Sequence, residues 1–183
     1  LRVTELGSYI SRSSVITVVI TAGAGDELST IKAKGLEPPI LIDLRPEFLD
    51  AAALVLDSLV ALHYYYENAL SRFSLFDLRY LWPDGTQLEV GYCHWGQQLT
   101  GANEPSATAL TRGALNLLSP NLLAVLRGPG VWTEEELVKM LTTLSTFHPS
   151  REAPFWYAVG QPPSTDPAYE ALLFSPAEKE FKR

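Results

Sequence analysis

Val15-Ile16-Thr17-Val18-Val19-Ile20-Thr21-Ala22-Gly23-Ala24-Gly25 carries the first decision about the fold. Val15 to Ile20 is short, β-branched and almost continuously apolar, the pattern of a strand buried on both faces, and two glycines end it. Asp26 to Lys34 is long enough for one short helix, which Gly35 and the pair Pro38 and Pro39 stop. Ile40 to Leu44 then repeats the buried-strand pattern. The first third of the chain is therefore predicted to form a β-α-β unit.

The same stretch holds the one motif with a chemical meaning. A strand runs into Gly-x-Gly at Gly23 and Gly25, and Asp43 closes the next strand, which is the layout of a dinucleotide-binding unit. Three features oppose that reading. Leu28 occupies the third glycine position, Asp26 and Glu27 put negative charge where a phosphate would sit at a helix start, and the hairpin predicted further along breaks the β-α-β alternation. Binding would also require a countercharge near Asp26, and none is visible in the sequence. No cofactor is predicted, and no binding of NAD, ATP or S-adenosylmethionine is expected. A nucleotide- or ligand-binding enzyme fragment that uses the Gly23 to Gly25 turn and Asp43 is the alternative.

Further along, Pro46 to about Phe73 is helix-compatible throughout, with Leu49, Leu56, Leu59, Val60, His63 and Leu70 on one predicted face towards the sheet. Val55, Leu62 and Tyr65 form a second apolar stripe. A helix apolar nearly all round is central or lies against another molecule, so Val55, Leu62 and Tyr65 are the predicted interface.

Two alternating runs follow, residues 77 to 82 and 87 to 92, separated by Pro83-Asp84-Gly85. They predict an antiparallel hairpin with Trp82, Leu88, Val90 and Tyr92 on its buried face. Helices are predicted from Pro105 or Ser106 to Leu118 and from Ser119-Pro120 to Gly128. Another should start at Thr133, where Glu136 completes a capping box and Trp132 can staple onto Leu137. Phe155 to Val159 is predicted as a third strand, and short helices are expected after Asp166-Pro167 and after Ser175-Pro176. The fold class is thus α+β: a helix-rich single domain with a hairpin at about 77–92, short buried strands at about 15–20, 40–44 and 155–159, and a long apolar central helix at about 46–73.

Other chemistry is thin. His63, with Glu67 four residues on, fits a helix-stabilising pair. His94 follows Cys93, but neighbours on a strand point to opposite faces and should not meet. His148 before Pro149 suits a helix end, and no metal-ligand spacing or nucleophile elbow is present.

Charged residues make up 19% of the 183, against about 25% in an average domain, and the net charge is −7 with cations scattered singly. Nucleic-acid binding needs clustered cations and is not expected. Ala51 to Leu62 is too short and too interrupted for a membrane span. A single cysteine leaves no internal disulfide, so a soluble intracellular setting is the default. The start at Leu1 and the charged end at Glu178 to Arg183 suggest one domain, or a segment, of a larger protein. A low charge fraction and an over-apolar helix lead to the expected function: a non-enzymatic structural module of a multi-subunit body such as a shell or capsid, with homo-oligomeric or other protein partners. A small acidic protein-binding inhibitor is the second alternative.

Overall fold

A computed structural model describes residues 18–23, 40–64, 78–83, 85–96, 106–117, 119–128, 132–147, 156–160 and 168–177. Its centre is a mixed seven-stranded sheet. The strands are β1 (Val18–Ala22), β2 (Ile40–Leu44), β3 (Gln87–Gly96), β4 (Ser106–Ala109), β5 (Leu123–Arg127), β6 (Trp156–Gly160) and β7 (Tyr169–Pro176). Their order is β1-β2-β3-β7-β5-β6, with β4 added to β3. β1 and β2 pair in parallel, as do β2 and β3, and β5 and β6. β7 runs against both β3 and β5, so β1, β2, β3, β5 and β6 all point the same way and their carboxyl ends share one edge of the sheet.

The runs that read as buried strands explain the centre. All five residues of β2 and all five of β5 are buried, because their neighbours cover both edges and helices cover the faces. β1 differs from the expectation: every residue is only half-buried, since it is the outermost strand among the described residues.

Two helices of fourteen residues flank the sheet, α1 (Ala51–Tyr64) and α3 (Glu134–Phe147), and a single turn, α2 (Leu78–Leu81), precedes β3. On one face, Val55, Leu59 and Leu62 of α1 pack with Leu78, Leu81 and Trp82 onto Ile42, Val90, Val125, Leu172 and Phe174. On the other, Leu137, Met140 and Leu144 of α3 pack on Cys93, Ala124, Leu126 and Leu173.

The helix-rich expectation is overturned, with strands where helices were predicted. Residues 78–92 form no hairpin: Leu78–Leu81 is helical, and the chain enters β3 past Gly85 at φ +79°, with the Thr86 amide donating to the Pro83 carbonyl. β3 finds its partners in β7 on one edge and β2 then β4 on the other. The residues expected on the hairpin's apolar face still share one core, with Tyr92 at its margin. β4 replaces the helix expected from Ser106, because β3 outruns β2 and its open backbone groups need partners. Leu123–Arg127 is strand and not helix, a distinction that periodicity does not make for short apolar runs. Ser175 and Pro176, expected to start a helix, are the last two residues of β7, and residues 178–183 lie outside the described ones.

The helix at 46–73 is described only to Tyr64, after a single 3-10 turn at Pro46–Phe48, and its phase differs from the expected one. Val55 and Leu62, expected against a partner, lie in the chain's own core, while Leu49, Leu56 and Val60 are exposed. Tyr65 and Leu70 fall outside the described residues, as do Asp166, Pro167 and His148. No helix among the described residues is long and apolar enough to cross a membrane.

The α3 start is built as the capping box predicts. The Thr133 amide and hydroxyl both donate to Glu136 Oε2, at 2.8 Å each, and the Glu136 amide donates to Thr133 Oγ1 at 3.2 Å. The Tyr169 hydroxyl donates to the other oxygen of Glu136, tying α3 to β7. These bonds, the one from Tyr169 foremost, hold the Glu136 carboxyl below its ordinary range. A carboxylate with a lowered folded-state pKa adds stability above the ordinary glutamate range and loses it as the pH falls below that range. Glu136→Gln should therefore flatten the acid limb of the stability curve, measured by urea unfolding at stepped pH, while changing stability at neutral pH by about 1 kcal/mol or less. An acid limb unchanged in the variant would show that the box contributes nothing to it.

Candidate functional site

The carboxyl ends of β1 and β2 build a small, polar corner. β1 ends in Thr21 and Ala22, and the chain then turns at Gly23, whose φ of +72° suits glycine and is disfavoured for residues with a Cβ. Asp43 lies opposite Thr21 in the parallel register and fixes that turn. Its Oδ1 accepts from Thr21 Oγ1 at 2.8 Å and from the Gly23 amide at 2.9 Å, and the same amide also reaches the Leu44 carbonyl at 3.1 Å. Asp43 therefore positions the glycine turn, which differs from the ribose-binding role that its sequence position suggested.

Opposite the turn lies a segment far away in sequence. β2 and β3 pair only at Leu41 with Gln87 and Ile42 with Leu88, after which the end of β4 and Leu110–Thr111 enter between them. The Arg45 amide donates to Leu110 O, Arg45 Nε donates to Thr111 O at 2.9 Å, and the Thr111 hydroxyl accepts from the Val90 amide at 3.0 Å. The turn is locked from beneath by buried Glu89, whose Oε2 accepts from the Gly113 amide at 3.0 Å; a Cβ on Gly113 would land on that carboxylate.

This wedge places Arg112 over the Gly23 turn. A Cβ built on Gly23 would sit 3.2 Å from an Arg112 Nη and 3.1 Å from the Pro46 ring, a tight fit, so the positive φ is what favours glycine and the Arg112 guanidinium stands close over the turn. Arg112 is exposed, and among the described residues its guanidinium has no hydrogen-bond or ion-pair partner. Arg45 and Arg112 thus bring positive charge to the turn, the countercharge that is invisible near Gly23 in the sequence. The corner combines a backbone turn without a side chain, two guanidiniums and a fixed carboxylate, at the edge where ligands settle on sheets with parallel strands. It can hold an anionic group through charge-assisted, bidentate hydrogen bonds.

The other sequence candidates are dispersed. Gly25, Asp26, Glu27 and Leu28 lie outside the described residues. Cys93 is buried under α3, which pushes its thiol up to about 11, so it is no nucleophile at neutral pH. His94 points away from it to the opposite face, beside the Tyr92 ring. The side chain of His63 is not among those described. Among the described residues no group of three or more histidines, cysteines or carboxylates could hold a metal ion.

A predominantly parallel, mixed sheet with helices on both faces and its polar corner at the carboxyl edge defines the class. No protein-family model matches the sequence, and no curated protein does. Solved structures do resemble the fold. A point mutant of FtsZ from M. jannaschii superposes with a TM-score of 0.59 at 14% identity, over 90% of this chain and 57% of that one. An empty FtsZ dimer from the same organism gives 0.53 at 12%, over 88% and 54%. The chain therefore has an FtsZ-like fold and spans little more than half the length of the FtsZ chains it resembles. The expectation of a shell or capsid subunit is overturned by this likeness.

Proposed function

We propose that the chain is a nucleotide-binding domain that takes the phosphates of its ligand at the carboxyl ends of β1 and β2. The observation that carries this reading is the Gly23 turn, held by Asp43 at a positive φ with the Arg112 guanidinium close above it. Arg45 and Arg112 supply the countercharge, which outweighs the objection raised by Asp26 and Glu27 in the sequence. The FtsZ-like fold supports the same reading. One of the similar structures is of a dimer, which supports self-association for this chain as well. The same reading takes residues 1–183 as one domain of a larger protein.

The test is a titration with fluorescent GTP, ATP and NAD analogues. The wild-type chain should bind at least one with micromolar affinity. Arg112→Glu should weaken that binding about 100-fold, roughly 2.7 kcal/mol, because it removes a charge-assisted contact and adds repulsion. The exposed position of Arg112 leaves stability within about 0.5 kcal/mol of the parent. A wild-type chain that binds none of the three, or an Arg112→Glu variant that binds as well as the parent, would refute the proposal.

A further inference from the structure

A second polar cluster lies on the same edge of the sheet, across β3, β7 and β5, and takes no part in the corner at Gly23. Arg127 is the last residue of β5, and its cross-strand partner on β7 is Glu170. The arginine is 6% exposed. Its Nη1 stands 3.9 Å from Glu170 Oε2, within range for an ion pair and too far for a hydrogen bond. Among the described residues that buried Nη1 has no hydrogen-bond acceptor. Glu170 is turned elsewhere: its Oε1 accepts from the Tyr92 hydroxyl at 2.6 Å.

A buried guanidinium N–H group that lacks an acceptor is costly, and such groups are normally satisfied by a partner or by water. Arginine presents its donors as a planar fork that matches the two oxygens of a carboxylate or a phosphate. Here the nearby carboxylate is held off by Tyr92, so the fork has no such match within the described chain. The cluster opens to solvent on the side of Glu170, whose side chain is 22% exposed, and of exposed His94.

We propose that Arg127 is the anchor of a second ligand subsite, which takes a small oxyanion, the carboxylate or phosphate group of a ligand, at the carboxyl end of β5 beside Glu170. Tyr92 and Glu170 act as positioning residues: the tyrosine keeps the carboxylate off the guanidinium, and the carboxylate keeps the fork oriented.

Inorganic phosphate and sodium acetate are the probes, each titrated into the full chain against sodium chloride at matched ionic strength, with Tm as the readout. At least one of the two should raise Tm saturably beyond the chloride control. Which of them saturates at lower concentration tells a phosphate-bearing from a carboxylate-bearing ligand. Arg127→Lys keeps the charge and loses the fork, and should shift half-saturation upward at least tenfold. In the wild-type chain the Arg127 Nε–H resonance should move along the same titration, a readout that does not depend on the variant folding. Absence of a saturable rise, a stationary Arg127 resonance, or equal half-saturation in Arg127→Lys would each overturn the subsite. A response lost in Arg112→Glu but kept in Arg127→Lys would overturn it too, by placing the anion at the Gly23 corner, and would leave the nucleotide reading standing.

Discussion

Leu62→Glu is expected to cost the fold about 3–5 kcal/mol, because the side chain is 4% exposed and the new carboxylate would be buried without a partner. Leu62 packs in one apolar cluster with Val55, Leu59, Leu78, Leu81 and Trp82. Leu56→Glu is the control. Leu56 is 51% exposed on the opposite side of the same helix, and its replacement should change stability by no more than about 0.5 kcal/mol. Urea midpoints of the two variants decide the matter. If Leu56→Glu proved the damaging one, α1 would be rotated by about 100°, one residue's worth of helix, and would face the sheet as the sequence suggested.

Trp82→Ala should cost about 3–5 kcal/mol, a large part of the roughly 5–15 kcal/mol that stabilises an ordinary domain. The indole is 1% exposed and lies 6.0 Å from the Phe174 ring at a tilted angle. Its Nε1 donates to the Asn121 carbonyl at 3.0 Å, so truncation opens a cavity and also removes a partner from that carbonyl. Trp82→Phe separates the two effects and should cost less. The measurement is denaturant unfolding at constant m-value, and a loss below about 1 kcal/mol for the alanine variant would mean that the indole site collapses without a cavity.

How far the sequence could be read depended on what each residue was asked to show. Ile40 to Leu44 is apolar, β-branched and short, and it is a strand at those residues. The capping box at Thr133 and Glu136 is local chemistry and needs only local residues. The phase of α1 was not legible, because apolar groups occur on every side of it. The buried polar side chain of Ser58 also hides its nature by donating to the Leu54 carbonyl within the helix. Asp77 to Tyr92 shows a turn between alternating runs, yet the partner of a strand is a tertiary fact, and β3 pairs with β7 far along the chain. The candidate site was half legible for the same reason. Gly23 and Asp43 announce themselves by spacing. Arg112 reaches them only because the end of β4 enters the fork between β2 and β3, and nothing in its own neighbourhood of sequence signals that.

The position of β7 also says something about the order in which this molecule can be assembled. β7 follows all the other described strands in the chain, yet it lies between β3 and β5, in the interior of the sheet. Until it arrives, β1-β2-β3 and β5-β6 are two separate ribbons, each with an apolar inner border whose amides and carbonyls have no mate. The rate of folding is therefore governed by a late, long-range closure, of the kind that Tyr92 and Glu170 make across 78 residues. A nascent or partly unfolded chain would expose both borders at once, which is the state in which strands of different molecules find one another.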